Sequence, residues 1–158
     1  MTAARRAGFD FKAMTPTQTA AAAVGAVFLL IGVLGFIPGV TAHYTVMEFA
    51  SHGSDAQLFD IFQVSILHNL VHIAFGVAGL LLARTWSLAR AFLIGGGAIY
   101  LLLWLYGLAV GPNDDANFIP VNVADDWLHF TLGAGMIALG VLLPRFAEQR
   151  RMGPAVRG

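Results

Sequence analysis

The 158-residue chain contains no cysteine. Disulfides, thiolate metal sites, iron–sulfur clusters, cysteine nucleophiles and covalently attached c-type haem are therefore excluded. Charged residues are also scarce, at 11% of the chain, against roughly 25% in typical soluble domains. Nine basic and nine acidic residues give a net charge of zero, so the sequence predicts no bulk attraction to nucleic acid.

What the chain has in abundance is apolar surface, because 58% of its residues are hydrophobic. A soluble domain of this size leaves a large share of its surface exposed and cannot bury that much. The composition excludes an ordinary cytosolic enzyme, a disordered chain and a nucleic-acid binder. It indicates an integral membrane protein, whose first partner is the lipid bilayer.

Four apolar stretches are long enough to cross a bilayer, whose core requires roughly 20 residues of helix. They cover residues 17–37, 61–83, 88–110 and 127–143. Backbone groups inside lipid must be satisfied within each segment, so all four are predicted helices. The fold class is therefore an all-α, four-helix membrane bundle over residues 17–143, between an N-terminal segment, 1–16, and a C-terminal tail, 144–158.

Helices are predicted to begin at two capping boxes, in each of which a Ser or Thr is followed three residues later by Gln. The first is Thr15–Gln18, with Pro16 at the first helical position. The second is Ser54–Gln57, which predicts that the second helix begins well before the lipid does.

The basic residues all fall on one side of this four-span topology, in the two termini and in the short loop between spans two and three. They are Arg5, Arg6, Lys12, Arg84, Arg90, Arg145, Arg150, Arg151 and Arg157. Because cytoplasmic loops are rich in Lys and Arg, both termini are predicted to be cytoplasmic. The expected location is the bacterial inner membrane.

An internal repeat relates the two halves of the chain. GAVFLL (25–30) aligns without gaps on GAIYLL (97–102), and NLVH (69–72) aligns on DWLH (126–129). Each half is then a helical hairpin of the same topology, and the two hairpins are predicted to be related by a pseudo-two-fold axis along the membrane normal.

Three histidines lie inside the predicted spans, His68 and His72 on the second and His129 on the fourth. Helical phase places them on the faces rich in small residues, where membrane helices pack closely. The repeat makes His72 equivalent to His129, and predicts that this pair faces across the bundle. The predicted intramembrane polar network comprises His68, Asn69, His72, Asn122, Asp125, Asp126 and His129.

Several roles for this network remain open. A structural role predicts a hydrogen bond from His72 to Asp125, or from His68 to Asn122, that holds the hairpins together. A cofactor role places b-type haem between His68, His72 and His129, as helical bundles hold cofactors between facing helices. A divalent metal near His68, His72 and Asp125 is a third possibility, and a proton or quinone site is a fourth. No catalytic residue and no specific metal motif is predicted.

Three segments together resemble a known family. They are FQVSILHNLVH (62–72) followed by FGVAGL (75–80), ARAFLIGGG (89–97) and ANFIPVNVADDWLH (116–129). They resemble the bacterial domain-of-unknown-function 4383 family of four-span membrane proteins, over roughly residues 20–143. The chain departs from the family pattern at Asp60, where Gly is expected, and at Asp126, where Asn is expected. The resemblance implies the four-span fold and no established activity.

The predicted function is a non-enzymatic membrane protein, such as an accessory or assembly subunit of a larger inner-membrane complex. Its partners would be other membrane subunits or further copies of itself, because small residues such as Gly25, Gly35 and Gly95 suit helix contacts beyond the chain. One alternative is a small haem- or metal-binding protein that uses the intramembrane histidines. The second alternative is transport of protons or small solutes.

Overall fold

A computed structural model describes residues 14–111 and 114–144. Four helices dominate it: α1 (Pro16–Leu34), α2 (Ile66–Leu82), α3 (Trp86–Ala109) and α4 (Val123–Leu142). The predicted cytoplasmic segments, 1–16 and 144–158, lie almost wholly outside the described residues.

Two of the helices, α1 with 19 residues and α3 with 24, are long and apolar enough to cross a membrane. Helix α2 is also apolar but has 17 residues. These helices indicate a membrane protein, in agreement with the composition.

Side-chain caps define where the helices begin. Thr15 caps α1 in a full capping box with Gln18, and Pro16 follows it, as predicted. Ser65 caps α2 and Thr85 caps α3, each by accepting the backbone N–H three residues ahead. Asn122 caps α4 in a second full capping box, with Asp125 in the place of Gln18. Each cap satisfies a backbone donor that the helix itself leaves without a partner.

The start of α2 corrects the prediction from Ser54–Gln57. The helix begins at Ile66, and the residues before it form two short strands, β2 (Gln57–Leu58) and β3 (Phe62–Gln63). The Ser54 hydroxyl does not cap a helix, because it donates to the carbonyl of Val64 at 2.6 Å. A capping pattern predicts a helix only where the chain continues in helical geometry, and here it turns back on itself instead.

Helices α1 and α2 pack closely where glycines meet. A Cβ placed on Gly25 would lie 2.9 Å from the carbonyl oxygen of Gly76 and 2.8 Å from the backbone nitrogen of Leu80. Helices α3 and α4 meet in the same manner, since a Cβ on Gly97 would lie 2.7 Å from the carbonyl oxygen of Gly133. Any side chain at these positions would push the backbones apart, so glycine is what permits both contacts. The expectation that Gly25 serves contacts beyond the chain is therefore wrong, because α2 of the same chain covers it.

A polar side chain also joins each helix pair at the end where α1 begins. The Gln18 amide donates from Nε2 to the carbonyl of Ala83 at 3.0 Å, at the end of α2. The Arg90 guanidinium donates from Nε to the carbonyl of Gly140 at 3.0 Å, near the end of α4. Both bonds satisfy carbonyls in a last helical turn, where the helix provides no donor.

The opposite end of the bundle is covered by residues 35–65, called the cap below. Strand β1 (Thr41–Ala42) pairs antiparallel with β2, and β2 pairs antiparallel with β3, giving the order β1-β2-β3. The four described non-glycine residues with positive φ all lie in the cap: His43, Ser51, Phe59 and Asp60. The chain therefore accepts local backbone strain to fold this segment over the helix ends.

Candidate functional site

Three imidazole rings meet inside the bundle near the cap. His68 and His72 are one helical turn apart on α2, with ring centroids 4.6 Å apart, and the His129 ring of α4 lies 6.3 Å from that of His68. The exposed fractions are 5% for His68, 8% for His72 and 3% for His129. The rings therefore face the interior of the bundle and not its surface.

Two aromatic rings separate this cluster from the rest of the bundle. Phe28 of α1 lies 5.6 Å from the His72 ring, and Tyr100 of α3 lies 5.3 Å from the His129 ring. Phe28 and Tyr100 are themselves 5.1 Å apart. Both belong to the main hydrophobic core, so the polar cluster is bounded by apolar packing on the side away from the cap.

A cavity of about 60 Å³ lies beside the histidines, between α1, α2, α4 and the cap. Its polar lining residues are His68, His72, His129 and Asp125. The cap contributes an apolar wall of four residues, Leu58, Phe59, Phe62 and Val64. A mostly apolar enclosure with a few converging polar groups is the usual form of a small-molecule site.

The prediction that Asp125 bonds to His72 is wrong, because its carboxylate accepts backbone N–H groups instead. Its Oδ2 accepts the backbone N–H of Asn122 at 3.0 Å and the backbone N–H of Gln63, from β3, also at 3.0 Å. Asp125 thus completes the capping box at the start of α4 and also binds the backbone of the segment 35–65. Within the described residues it makes no hydrogen bond with His72.

The predicted bond between His68 and Asn122 is likewise not formed among the described residues. Asn122 accepts the backbone N–H of Asp125 at 3.0 Å and donates from Nδ2 to the carbonyl of Ile61 at 2.8 Å. Both groups of its amide are therefore occupied, one by the helix and one by the cap. The backbone of Pro120 and that of Gln63 lie against the His68 ring instead.

All three imidazoles have a buried Nδ1 atom with no hydrogen-bond partner among the described residues. Leaving a buried polar group without a partner costs about 1–3 kcal/mol. Such groups are uncommon in folded proteins, and each one calls for an explanation such as a bound water, an ion or a functional role.

Asn69 and Asp126, predicted as members of the same network, lie elsewhere. The side chain of Asn69 fills the space above Gly35, and that of Asp126 fills the space above Gly107. Asn69 contacts the sulfur of Met47 at 3.9 Å. The predicted network is therefore divided: one group lines the cavity, and these two side chains pack at the helix pairs α1–α2 and α3–α4.

No three His, Asp or Glu residues in the described part of the chain are arranged to hold a metal ion. The donor types are suitable for a transition metal. Among the described residues the geometry does not bring three of them to a common point.

The sequence analysis did not identify Phe28, Tyr100 or Gln63 as part of the site. The repeat alignment held the signal for the first two, because it places Phe28 over Tyr100 just as it places His72 over His129. Gln63 contributes its backbone, and no side-chain pattern signals that.

Comparison with known proteins gives one family. The model of a family described as domain of unknown function (DUF4383) matches residues 18–142. Comparison with curated proteins and with solved structures finds no match.

Proposed function

This chain belongs to the domain-of-unknown-function family DUF4383, and we propose that it is a four-span membrane protein that binds a small polar ligand at the histidine cavity. In this proposal all four helices cross the bacterial inner membrane and both termini are cytoplasmic. The cap then lies on the outer face. The protein binds its ligand and does not transform it.

The proposed bundle consists of two repeated hairpins, and equivalent contacts support the repeat. The Gly25–Gly76 contact has its counterpart in Gly97–Gly133, and the bond from Gln18 to Ala83 has its counterpart in the bond from Arg90 to Gly140. The repeat alignment likewise relates the ring pair Phe28–His72 to the ring pair Tyr100–His129. Because these contacts follow the alignment at three depths, coincidence is a poor explanation.

The observation that carries the binding proposal is the set of three unpaired imidazole nitrogens. A purely structural role predicts hydrogen bonds between the hairpins, and those from His72 to Asp125 and from His68 to Asn122 are not formed in the described residues. Three buried Nδ1 atoms without partners make the cluster poor as a stabilising element. A site that sacrifices stability in this way is typical of function.

The cavity volume supports a small ligand over a porphyrin. A volume of about 60 Å³ exceeds the roughly 10–15 Å³ that a cavity needs to hold one water, so the cavity is large enough for a small molecule. Haem would require the helices to separate, whereas a small solute or a hydrated ion fits with side-chain adjustments. The haem and metal alternatives are both tested by elemental analysis and an absorption spectrum of protein purified under mild conditions.

The test of the binding proposal is the stability of histidine variants in dialysed, ligand-free protein. We expect His72→Leu and His129→Phe to keep or raise the melting temperature in detergent, because each removes an unpaired buried nitrogen. Phe28→Ala is the matched control for lost packing and should lower it, since removing a buried Phe costs about 3–5 kcal/mol. A fall for both histidine variants as large as that of Phe28→Ala would establish a structural role and refute the binding proposal.

An accessory role in a larger complex is a second candidate, favoured by two open glycines. A Cβ on Gly95 of α3 or on Gly135 of α4 would meet nothing within 4 Å. Small residues facing out from a membrane helix allow a second helix to approach closely. Native mass measurement after gentle extraction tests this role: a larger assembly supports it, and a monomer under every mild condition contradicts it.

A further inference from the structure

We infer that the tip of the β2–β3 hairpin is an anchor in the outer leaflet of the bilayer, and that its partner is the lipid at the boundary between headgroups and acyl chains. The inserted surface, called the anchor patch below, consists of Phe59 and Ile61 of the hairpin with Val123 and Trp127 of α4. This inference goes beyond the proposed binding function and rests only on its membrane-spanning part.

The residues of the anchor patch are apolar and largely exposed. The exposed fractions are 52% for both Phe59 and Ile61, 64% for Val123 and 59% for Trp127. They form one surface, because Nδ2 of Asn122, the residue before Val123, donates to the carbonyl of Ile61 at 2.8 Å. Trp127 follows Val123 by one helical turn. A continuous exposed apolar patch indicates contact with another apolar phase, and Trp is typical of membrane interfaces.

The hairpin tip lies beside the helices and not above their ends. Phe59 lines the same cavity as Leu128 and Ile31. Leu128 is five residues past the start of α4 at Val123, about 7–8 Å along the axis at roughly 1.5 Å per residue. Ile31 is three residues before the end of α1 at Leu34. Phe59 therefore reaches the depth of the outermost helical turns, where the helices of a membrane protein face lipid.

The apolar surface of α3 indicates lipid at the same level. Leu108 is 61% exposed and lies one residue before the end of α3 at Ala109. In the proposed repeat, the alignment of Gly25 on Gly97 makes Leu108 equivalent to Phe36, which is two residues past the end of α1. The apolar surface of the bundle thus continues past the end of α1 to the level of the cap.

The backbone of the hairpin is paired as contact with lipid requires, since lipid provides no hydrogen-bond partner. Within the hairpin, the N–H of Ile61 donates to the carbonyl of Leu58 at 3.2 Å. Strand β3 is the edge of the sheet, and α4 covers that edge. Asn122 binds the carbonyl of Ile61, and Oδ2 of Asp125 accepts the N–H of Gln63 at 3.0 Å. An open edge would leave both of these groups without partners in lipid.

The charged residues of the cap limit how deeply it inserts. Residues 35–65 contain three acidic residues, Glu48, Asp55 and Asp60, and no Lys or Arg. Asp60 is exposed at the hairpin tip, and a carboxylate is stable among headgroups but costly in the acyl core. The anchor is therefore interfacial, and apolar contact holds it in place without attraction to anionic lipid.

The absence of cysteine allows a single nitroxide spin label to report the depth of each site in full-length protein in phosphatidylcholine nanodiscs. Collisions with oxygen, which concentrates in lipid, are compared with collisions with nickel ethylenediaminediacetate, which stays in water. The reporters are Ile61→Cys and Val123→Cys. Asp55→Cys, which is exposed two residues before β2, is the aqueous control, and Leu102→Cys, 64% exposed on α3, is the lipid control.

We expect the ratio of oxygen to nickel accessibility at both reporters to exceed the ratio at Asp55 several-fold. Ratios equal to that at Asp55 would overturn the anchor. Low accessibility to both reagents would also overturn it, because a second copy or another protein would then cover the patch. An aqueous ratio at Leu102 would contradict the four-span proposal instead. The stability of the histidine variants tests ligand binding separately, so these failures are distinguishable.

Discussion

The two helix pairs, α1–α2 and α3–α4, have similar packing and different chemistry. Glycines bring the helices together in both pairs, and Phe28 and Tyr100 lie against a histidine in each. The main difference is one helical turn before that histidine, where α2 has His68 and α4 has Asp125. Asp125 accepts the backbone N–H of Asn122 at the start of α4 and that of Gln63 in the segment 35–65. Nδ1 of His68 has no partner among the described residues.

That difference lies in the polar side chains and not in the packing of the two pairs. The glycines and aromatic rings provide the same frame in both pairs. At the position equivalent in the alignment, Asp125 accepts the backbone N–H of Gln63 in one pair, and His68 has an Nδ1 without a partner among the described residues in the other. Changes to the frame should therefore affect the two pairs in similar ways, and changes at His68 and Asp125 should not.

The largest expected effect comes from the glycine contacts. A Cβ at Gly76 would overlap the backbone of Leu29, so Gly76→Ala should cost about 3 kcal/mol or more. Gly133→Ala should cost less, because its Cβ would lie 2.9 Å from the Leu101 side chain, which can move, as well as from the carbonyl oxygen of Gly97. Melting temperature in detergent measures both.

Gly95→Ala is the matched control for those variants, since nothing lies within 4 Å of its Cβ. It should leave stability unchanged or slightly higher, because alanine favours helix over glycine by up to about 1 kcal/mol. Equal losses for Gly76→Ala and Gly95→Ala would mean that the close approach of α1 and α2 is incorrect.

The second-largest loss of stability is expected at Asp125, where the polar chemistry of the two helix pairs differs. Asp125→Ala removes the acceptor of two backbone N–H groups and should destabilise the protein by about 2 kcal/mol. Asp125→Asn retains an acceptor oxygen and should recover much of that loss. Thermal unfolding in detergent makes the comparison.

His68→Gln is the companion measurement in the first pair. His68 makes no hydrogen bond at Nδ1 among the described residues, so this change should cost less than Asp125→Ala. If it costs as much, the two positions are structurally equivalent and the contrast between the pairs disappears.

The smallest effect is expected at the ends far from the cap. Gln18→Ala and Arg90→Ala each remove the donor to a terminal carbonyl, that of Ala83 or that of Gly140, at about 1 kcal/mol per bond. Gln18→Ala should have the larger effect, because it also removes the bond to the carbonyl of Arg84 and the acceptor of the Thr15 N–H. Arg90→Ala loses in addition only the contact of its guanidinium with the Trp86 ring, 5.7 Å from the ring centre. A measurable loss at both positions would strengthen the case for a repeat, and no loss at Arg90 would weaken it.

Features that depend on neighbours in sequence were predictable. The capping box at Thr15 and Gln18 is formed as expected, because a cap joins residues three apart and needs no distant partner. The glycine-rich faces of α2 and α4 follow from helical periodicity alone. The family assignment was likewise available from short strings of residues, and the family match confirms it.

The second capping box shows where local patterns are insufficient. Ser54–Gln57 has the right residues, but Ser54 bonds to Val64 and Gln57 pairs with Gln63 in the cap sheet. Those partners come from a chain reversal at Phe59 and Asp60, and no helical period encodes it.

The sequence by itself determined an apolar helical chain and the glycine-rich faces of α2 and α4, because composition and periodicity act through short-range geometry. Only the tertiary structure decided what the polar residues contact. Asp125 binds the backbone of Gln63, which is 62 residues away, and a backbone donor has no side-chain signature. Periodicity places His68 and His72 on one face of α2, but whether the three histidines find partners depends on how α2, α4 and the cap fit together.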